Sequence, residues 1–319
     1  MLKTPTNANS SVNKFEKAWA KENSYDYGVS CNSGTNSLFL ALKACGIGEG
    51  DEVIVPEFTM IATAWAVSYT GATPIFVDCK DDLNIDLDKI KITKKTKAII
   101  PVHIYGRQCN MPEIVERFKH RLYIIEDMAE AHGIMPQGDI SCYSFYGNKI
   151  IETEEGGMCL TNDHNVADEI RLLANMYFDE ERTLIHPKMG YNFRMTNMQA
   201  EKGLKQVKNF KKIIKDRRQI EKWWDKYLPE EIKMPKRDTV WMYDIDCGDC
   251  QEDIKEAIPM TRYFFKPMSM QPMYKGKYKK LNAFKWSKRG LYLPLINLTE
   301  KEIKKISKKI CRILSENQL

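Results

Sequence analysis

The 319-residue sequence contains no stretch of about 18 consecutive apolar residues, so no membrane-spanning helix is expected. Its opening, "MLKTPTNANSSVNKFEKAWAK", holds no apolar run of the kind that forms a secretion signal, and a cytoplasmic location is the expectation. A metal centre is not expected either. The one Cys-x-x-Cys, Cys247 to Cys250, has no second cysteine pair or histidine pair at zinc spacing and no thioredoxin-like setting. The nine cysteines sit mostly in apolar runs such as "CYSF" and "GGMCL", where they act as small hydrophobes rather than as a disulfide framework. Internal repeats, low-complexity segments and long Gly/Ser/Pro linkers are also missing, so any separate units should pack as one body. No strong charge of one sign is present: 49 Lys plus Arg against 43 Asp plus Glu leave a net charge of +6. The lysine-rich stretches "KKIIKDRR" and "KEIKKISKKI" read as solvated helix faces, and neither nucleic acid nor a membrane is an expected partner. An anionic small-molecule substrate is compatible with this balance.

With 43% hydrophobic and 29% charged residues, the chain can bury a sizeable core. In "SCNSGTNSLFLALKACGIGEGDEVIVP" a small polar loop opens a helix, glycines close it, and a strand follows. The segments "TPIFVDC", "KAIIPVHIYG" and "RLYIIEDM" are continuous apolar and β-branched runs, as strands covered on both faces of a parallel sheet are, and "MPEIVERFKH" reads as a helix between two of them. The expected class is therefore α/β, with function at the carboxyl ends of the strands. From about Asn197 the texture changes to one long helical span, "MQAEKGLKQVKNFKKIIKDRRQIEKWWDKYL", followed by strand-like "TVWMYDIDC" and "TRYFFKPMSM". Thr299, three residues before Glu302, marks a capping box opening a last amphipathic helix. A larger unit over 1–205 and a smaller one over 206–319 are expected.

Three features carry chemistry. The loop "NSGT" at a helix start, with Ser33, Gly34 and Thr35, suits either a phosphate or an ordinary N-cap. The strand end "IIEDMAEAHG" brings Glu126, Asp127, Glu130 and His132 into one short region, which suits a metal, an acid/base pair, a solvated turn or a counter-ion for a cationic ring nitrogen. Lys149 lies just past the strand-like "DISCYSFYG", and burial there would lower its pKa and free its amine to act as a nucleophile. In this order on a parallel scaffold, a phosphate seat, a strand-end aspartate and a semi-buried lysine supply what pyridoxal phosphate needs.

The segments "NSGTNSL", "GEGDEVIVPEFTMIATAWAVSYTGATPIFVDC", "IIPVHIYG", "IIEDMAEAHG", "SFYGNKIIETEEGGM" and "GYNFRMTNMQA" together resemble, in order and spacing, the DegT/DnrJ/EryC1/StrS family of nucleotide-sugar aminotransferases, from about residue 14 to the C-terminus. The resemblance implies an aspartate-aminotransferase-like fold (fold type I), pyridoxal 5'-phosphate as cofactor, and a homodimer with shared active sites. It implies Lys149 as the covalent tether of the cofactor and Asp127 as the partner of its pyridine nitrogen. Gly34, Thr35 and Ser144 match phosphate ligands, and Asn192 matches an asparagine reaching the phosphate from the neighbouring subunit. Glu130 matches the position on the ring-hydroxyl side, and Met60 stands where an aromatic residue often stacks on the ring. Dehydratases of the family carry histidine in place of this lysine, so Lys149 implies transamination.

"SFYGNK", "TVWMYDI" and "FFKPMSMQPMY" are most similar to the branch that makes GDP-perosamine from GDP-4-keto-6-deoxy-D-mannose with L-glutamate as amino donor, a step of polysaccharide and deoxyamino-sugar biosynthesis. A UDP- or dTDP-4-keto-6-deoxyglucose 4-aminotransferase, a 3-keto enzyme and a non-catalytic relative are the alternatives. Arg262, Phe264, Lys266 and Tyr274 are candidates for substrate contacts. Glu152 and Glu154 add negative charge near a site meant for a nucleotide diphosphate, and the 133–143 loop is shorter than the family norm.

Overall fold

A computed structural model of the chain describes residues 10–178, 183–277 and 279–316. The first nine residues, part of the segment read for a secretion signal, lie outside them. Helix α1 (Ser11–Glu22) is capped by the Ser10 hydroxyl and leads into β1 (Tyr27–Cys31). There follow α2 (Gly34–Ala44), β2 (Glu52–Pro56), α3 (Ile61–Tyr69), β3 (Thr73–Val77), β4 (Thr96–Ile99), α4 (Met111–Phe118), β5 (Tyr123–Asp127), β6 (Ile140–Ser144), β7 (Gly157–Thr161) and α5 (His164–Ala174). The strands form one seven-stranded sheet in the order β1-β7-β6-β5-β4-β2-β3. Pairing is parallel from β3 through β2, β4 and β5 to β6, whereas β7 runs antiparallel to both β6 and β1. This is the mostly parallel α/β sheet that the continuous apolar runs call for. Val53, Ile54 and Val55 of β2 are wholly buried because helices or loops cover both faces.

The helical span that follows is broken where one helix was expected: α6 (Asn197–Lys208) and α7 (Phe210–Tyr227) meet at Asn209. The Asn209 amide donates to the Lys205 carbonyl at 3.0 Å, so a side chain takes over where the helical ladder stops. Only Tyr243–Asp246 of "TVWMYDIDC" forms strand β8, because the Trp241 carbonyl is taken by Arg217 instead of a ladder partner. Helix α8 (Gln251–Ala257) precedes β9, which is limited to Arg262–Tyr263; Pro267, soon after, offers no backbone donor. Helix α9 (Asn282–Arg289), β10 (Gly290–Leu293) and α10 (Glu300–Glu316) complete the chain. The β8-β10-β9 sheet is antiparallel, and α10 opens on the expected capping box, with Glu302 Oε2 accepting from the Thr299 N–H at 2.8 Å and Thr299 Oγ1 from the Glu302 N–H at 3.4 Å.

The largest core runs from Phe15 and Trp19 of α1 through the sheet and takes in Trp241, Phe264 and Trp286 from the later part of the chain. A second core starts at Trp224 and ends at Ile310. The division expected at 205/206 falls inside α6, which packs against α1. We propose that the smaller unit is organised around the second core, with α6 and the start of α7 linking it to the larger one.

A buried ion cluster fastens the two parts together. Asp244, wholly buried on β8, sits 2.8 Å from Arg107 Nη1 of the larger part and accepts from Arg237 Nε at 2.6 Å. Burial alone would raise its pKa, but the two guanidiniums outweigh that and hold the carboxyl below its usual value. Removing the charge leaves two arginines buried against a neutral amide, so Asp244→Asn should lower the unfolding free energy by about 3–5 kcal/mol in urea denaturation. A loss under about 1 kcal/mol would show that the cluster is dispensable.

Candidate active site

The site is built at the carboxyl ends of β1, β5 and β6. Past β1 the Ser33 hydroxyl accepts from the Asn36 amide at 3.2 Å and starts α2 at Gly34. A Cβ on Gly34 would lie 2.5 Å from the Ser144 Cβ, so only glycine lets the helix start press against the end of β6. This approach places the first-turn N–H groups of Gly34 and Thr35, which have no partner inside their own helix, beside the Ser144 side chain, as an anion seat requires.

Asp127 ends β5, and its position is over-determined. Oδ2 accepts from Thr63 Oγ1 at 2.8 Å and Oδ1 from the Ala129 amide at 3.1 Å. Burial pushes its pKa up, while these hydrogen bonds and the Lys149 amine pull the other way. Its neighbour Glu126 points to the opposite face of the strand, where it accepts from the Gln137 amide at 2.6 Å and pairs with His103 at 2.9 Å. Glu130 returns to the side of Asp127: Oε2 accepts from the Tyr105 amide at 2.9 Å, and burial drives its pKa up to about 7. Tyr105 presents that N–H from a left-handed backbone, φ 52°, a conformation that a non-glycine residue holds only when its surroundings impose it. The acidic run thus splits into two groups that serve the cavity and two residues, Glu126 and His132, that hold loops. Among the described residues no group of three or more potential ligands is placed to hold a metal.

Lys149 has a side chain 12% exposed, its Nζ 4.0 Å from Glu130 Oε1. Removal from water lowers its pKa, the two carboxyls opposing that. The loop that carries it is fastened at both stems by one imidazole. His132 Nδ1 accepts from the Ile151 amide at 3.1 Å, so the ring proton sits on Nε2 and is donated to the Ser144 carbonyl 3.0 Å away.

These groups face one cavity of about 370 Å³, and seven of the eight residues read from the sequence line it: Gly34, Thr35, Met60, Asp127, Glu130, Ser144 and Lys149. Met60, half-exposed, stands at the start of α3. Asn192 lies away from the cavity, exposed and bridged to Asn175. A larger hollow of about 980 Å³ opens among Lys97, Tyr123 and Asp163, beside the starts of β5 and β6, and contains none of the eight.

Trp241, Phe265 and Tyr292 also line the cavity; the first two fall in the segments "TVWMYDI" and "FFKPMSMQPMY", but none of the three is read from the sequence as a site residue. Of the candidates expected from the smaller unit, Phe264 is buried against Gly290, and it is Phe265, one residue on, that faces the cavity. Lys266 donates to the Ser287 carbonyl at 3.0 Å, the Tyr274 hydroxyl meets Ser68 Oγ at 2.6 Å, and Arg262 donates to the Thr261 carbonyl at 3.3 Å. Glu152 and Glu154 do not load the cavity with charge: both pair with Lys202 of α6, Glu152 at 2.8 Å.

Residues 3–311 match the model of the DegT/DnrJ/EryC1/StrS aminotransferase family. The chain is 39% identical over 308 residues to the GDP-perosamine synthase of Escherichia coli O157:H7, covering 89% of this chain and 84% of that one. It is 46% identical over 186 residues to the UDP-N-acetyl-3-dehydro-alpha-D-glucosamine 3-aminotransferase of Acidithiobacillus ferrooxidans, covering 54% and 50%. Among solved structures it resembles the PLP form of a putative sugar aminotransferase from Streptococcus pneumoniae, with a TM-score of 0.89 and 22% identity over 99% of this chain and 93% of that one.

Burial, reinforced by the charge of Lys149, pushes the His132 pKa down to about 3, against about 6.5 in the unfolded chain. Below about pH 6.5 the unfolded chain binds a proton that the folded chain refuses, so stability falls as pH drops toward 3. His132→Gln, which keeps a donor and an acceptor but cannot titrate, should flatten that decline in urea unfolding between pH 7 and pH 5. Equal slopes in the two proteins would mean that the imidazole is not held neutral.

Proposed function

The chain belongs to the DegT/DnrJ/EryC1/StrS aminotransferase family and is a pyridoxal-phosphate-dependent sugar aminotransferase, and from this we propose that L-glutamate is its amino donor and GDP-4-keto-6-deoxy-D-mannose its acceptor, giving GDP-perosamine. The observation that carries the reading is the juxtaposition of the Lys149 amine, the Asp127 carboxyl and the Gly34–Ser144 approach around one cavity.

The residues present fit the cofactor. Gly34 leaves room where any Cβ would meet Ser144, and Asn148 Oδ1, buried on the same wall, meets no partner among the described residues. Gly34, Thr35 and Ser144 would hold the phosphate, Asp127 would keep a proton on the ring nitrogen, and Glu130 would lie on the ring-hydroxyl side. When bound, pyridoxal phosphate supplies an electron-withdrawing ring that makes the hydrogen on the donor's α-carbon acidic. Lys149 does the proton work. Burial lowers its pKa and so favours the uncharged amine, the form able to take that hydrogen at Nζ. Glu130, whose burial raises its pKa to about 7, stands 4.0 Å from that amine and acts on it through charge rather than through a hydrogen bond. A homodimer would bring the exposed Asn192 of one subunit to the phosphate seat of the other.

GDP is preferred as the nucleotide because the GDP-perosamine synthase likeness runs over nearly nine-tenths of the chain, the smaller unit included, while the higher identity to the UDP-sugar enzyme covers about half. Lys149→Ala should reduce transamination at least about 10³-fold while leaving the melting temperature and circular dichroism unchanged. Borohydride reduction of the loaded enzyme should fix the cofactor on the peptide containing Lys149; recovery on another lysine overturns its role. With GDP-, UDP- and dTDP-4-keto-6-deoxy sugars side by side, kcat/KM should favour the GDP sugar at least about tenfold. Equal or reversed values would give the acceptor to the UDP or dTDP series.

A further inference from the structure

Trp241 lies 92 residues beyond Lys149, yet it engages the lysine and its backbone neighbour. Its indole Nε1–H donates to the Asn148 carbonyl at 2.9 Å, and Lys149 Nζ lies 4.2 Å from the centroid of its ring. The indole is itself immobilised. Its residue is 3% exposed, and the rings of Tyr105 and Tyr292 stand 5.9 Å and 5.7 Å from it. Arg217 of α7 donates from Nη1 to the Trp241 carbonyl at 3.0 Å and from Nη2 to the Lys149 carbonyl at 3.2 Å, so one guanidinium sets the two backbones relative to each other.

We propose that Trp241 is a positioning residue for Lys149: its N–H fixes the backbone that carries the lysine, and its ring face seats the charged amine whenever that amine is not covalently engaged. The inference rests on Lys149 being the reactive amine. An ammonium removed from water needs a partner, and the nearest carboxyl oxygen, on Glu130, is 4.0 Å away. An aromatic face attracts a cation through its quadrupole but has no lone pair to accept the proton. A carboxylate at hydrogen-bond distance would tie the amine down, whereas the ring steadies it and leaves the proton free to depart. Among the described residues the charged groups acting on Lys149 are the carboxyls of Asp127 and Glu130, with the neutral His132 and Arg217, whose guanidinium is spent on carbonyls, beside them; Tyr146, Glu155 and Tyr292 line the same cavity.

The test uses the full-length enzyme loaded with pyridoxamine phosphate, in which Lys149 carries no bond to the cofactor. Cyanate modifies only uncharged amines, so the rate at which the Lys149 peptide gains mass, measured across pH, gives the midpoint of its titration. Trp241→Leu should lower that midpoint by about half a pH unit or more, roughly threefold in proton affinity. Trp241→Phe keeps a ring but no N–H. It should hold the midpoint within about 0.2 unit while amide hydrogen exchange in the 145–151 loop speeds up several-fold. An unchanged midpoint in a folded Trp241→Leu protein, or a Phe variant with wild-type exchange, overturns the proposal. Borohydride labelling of a different lysine would instead overturn the assignment of Lys149 itself, and would do so whatever the midpoints show.

Discussion

A primary amine withdrawn from water has to find its compensation within a few ångströms, and at Lys149 the neighbours stand close enough to steady the charge but too far to trap the proton. Glu130 is at 4.0 Å and the Trp241 ring at 4.2 Å. Each of these is in turn held by something else. Glu130 is aimed by the Tyr105 amide, which obliges Tyr105 to take a left-handed backbone. Asp127 is aimed by Thr63 and Ala129, and the lysine's loop by His132, Arg217 and Trp241. The strain at Tyr105 and the buried guanidinium of Arg217 are local costs that the surrounding core sustains.

This requirement also explains why the two parts of the chain are inseparable at the site. The sheet ends supply the anion seat and the carboxyls, but the aromatic wall comes from Trp241, Phe265 and Tyr292 beyond the sheet domain. The ion cluster of Arg107, Asp244 and Arg237 lies between the two parts and fixes the strand that follows Trp241. The acidic residues after the lysine serve the same end from outside: Glu152 and Glu154 fasten the loop to Lys202 on α6, and neither lines the cavity.

Much of this was legible in the sequence, for a definite reason. Asp127 and Ser144 close strands whose apolar runs are continuous, Gly34 opens the helix after another strand, and Lys149 follows Ser144 by five residues, so all four fall near the carboxyl ends of strands, where an α/β sheet gathers its function. The helix caps at Ser33 and Thr299 were legible because capping is decided by residues three apart. The break at Asn209 was not, since an asparagine amide can either point to solvent or bond the carbonyl four residues back. Phe264 and Phe265 are adjacent and chemically identical, and only the packing of Gly290 against the first puts the second in the cavity.

By itself the sequence determined the scaffold and singled out the candidate groups, since period, capping and strand-end polarity are local and each short segment carries its own evidence. The tertiary structure alone decided which groups surround the amine. Trp241 and Tyr105 meet Lys149 and Glu130 through contacts between residues far apart in the chain, and Glu126 and Asp127, side by side in sequence, serve opposite faces of one strand. Such pairings depend on how the two parts pack and on the alternation of side chains across a strand of known register, neither of which a run of residues contains.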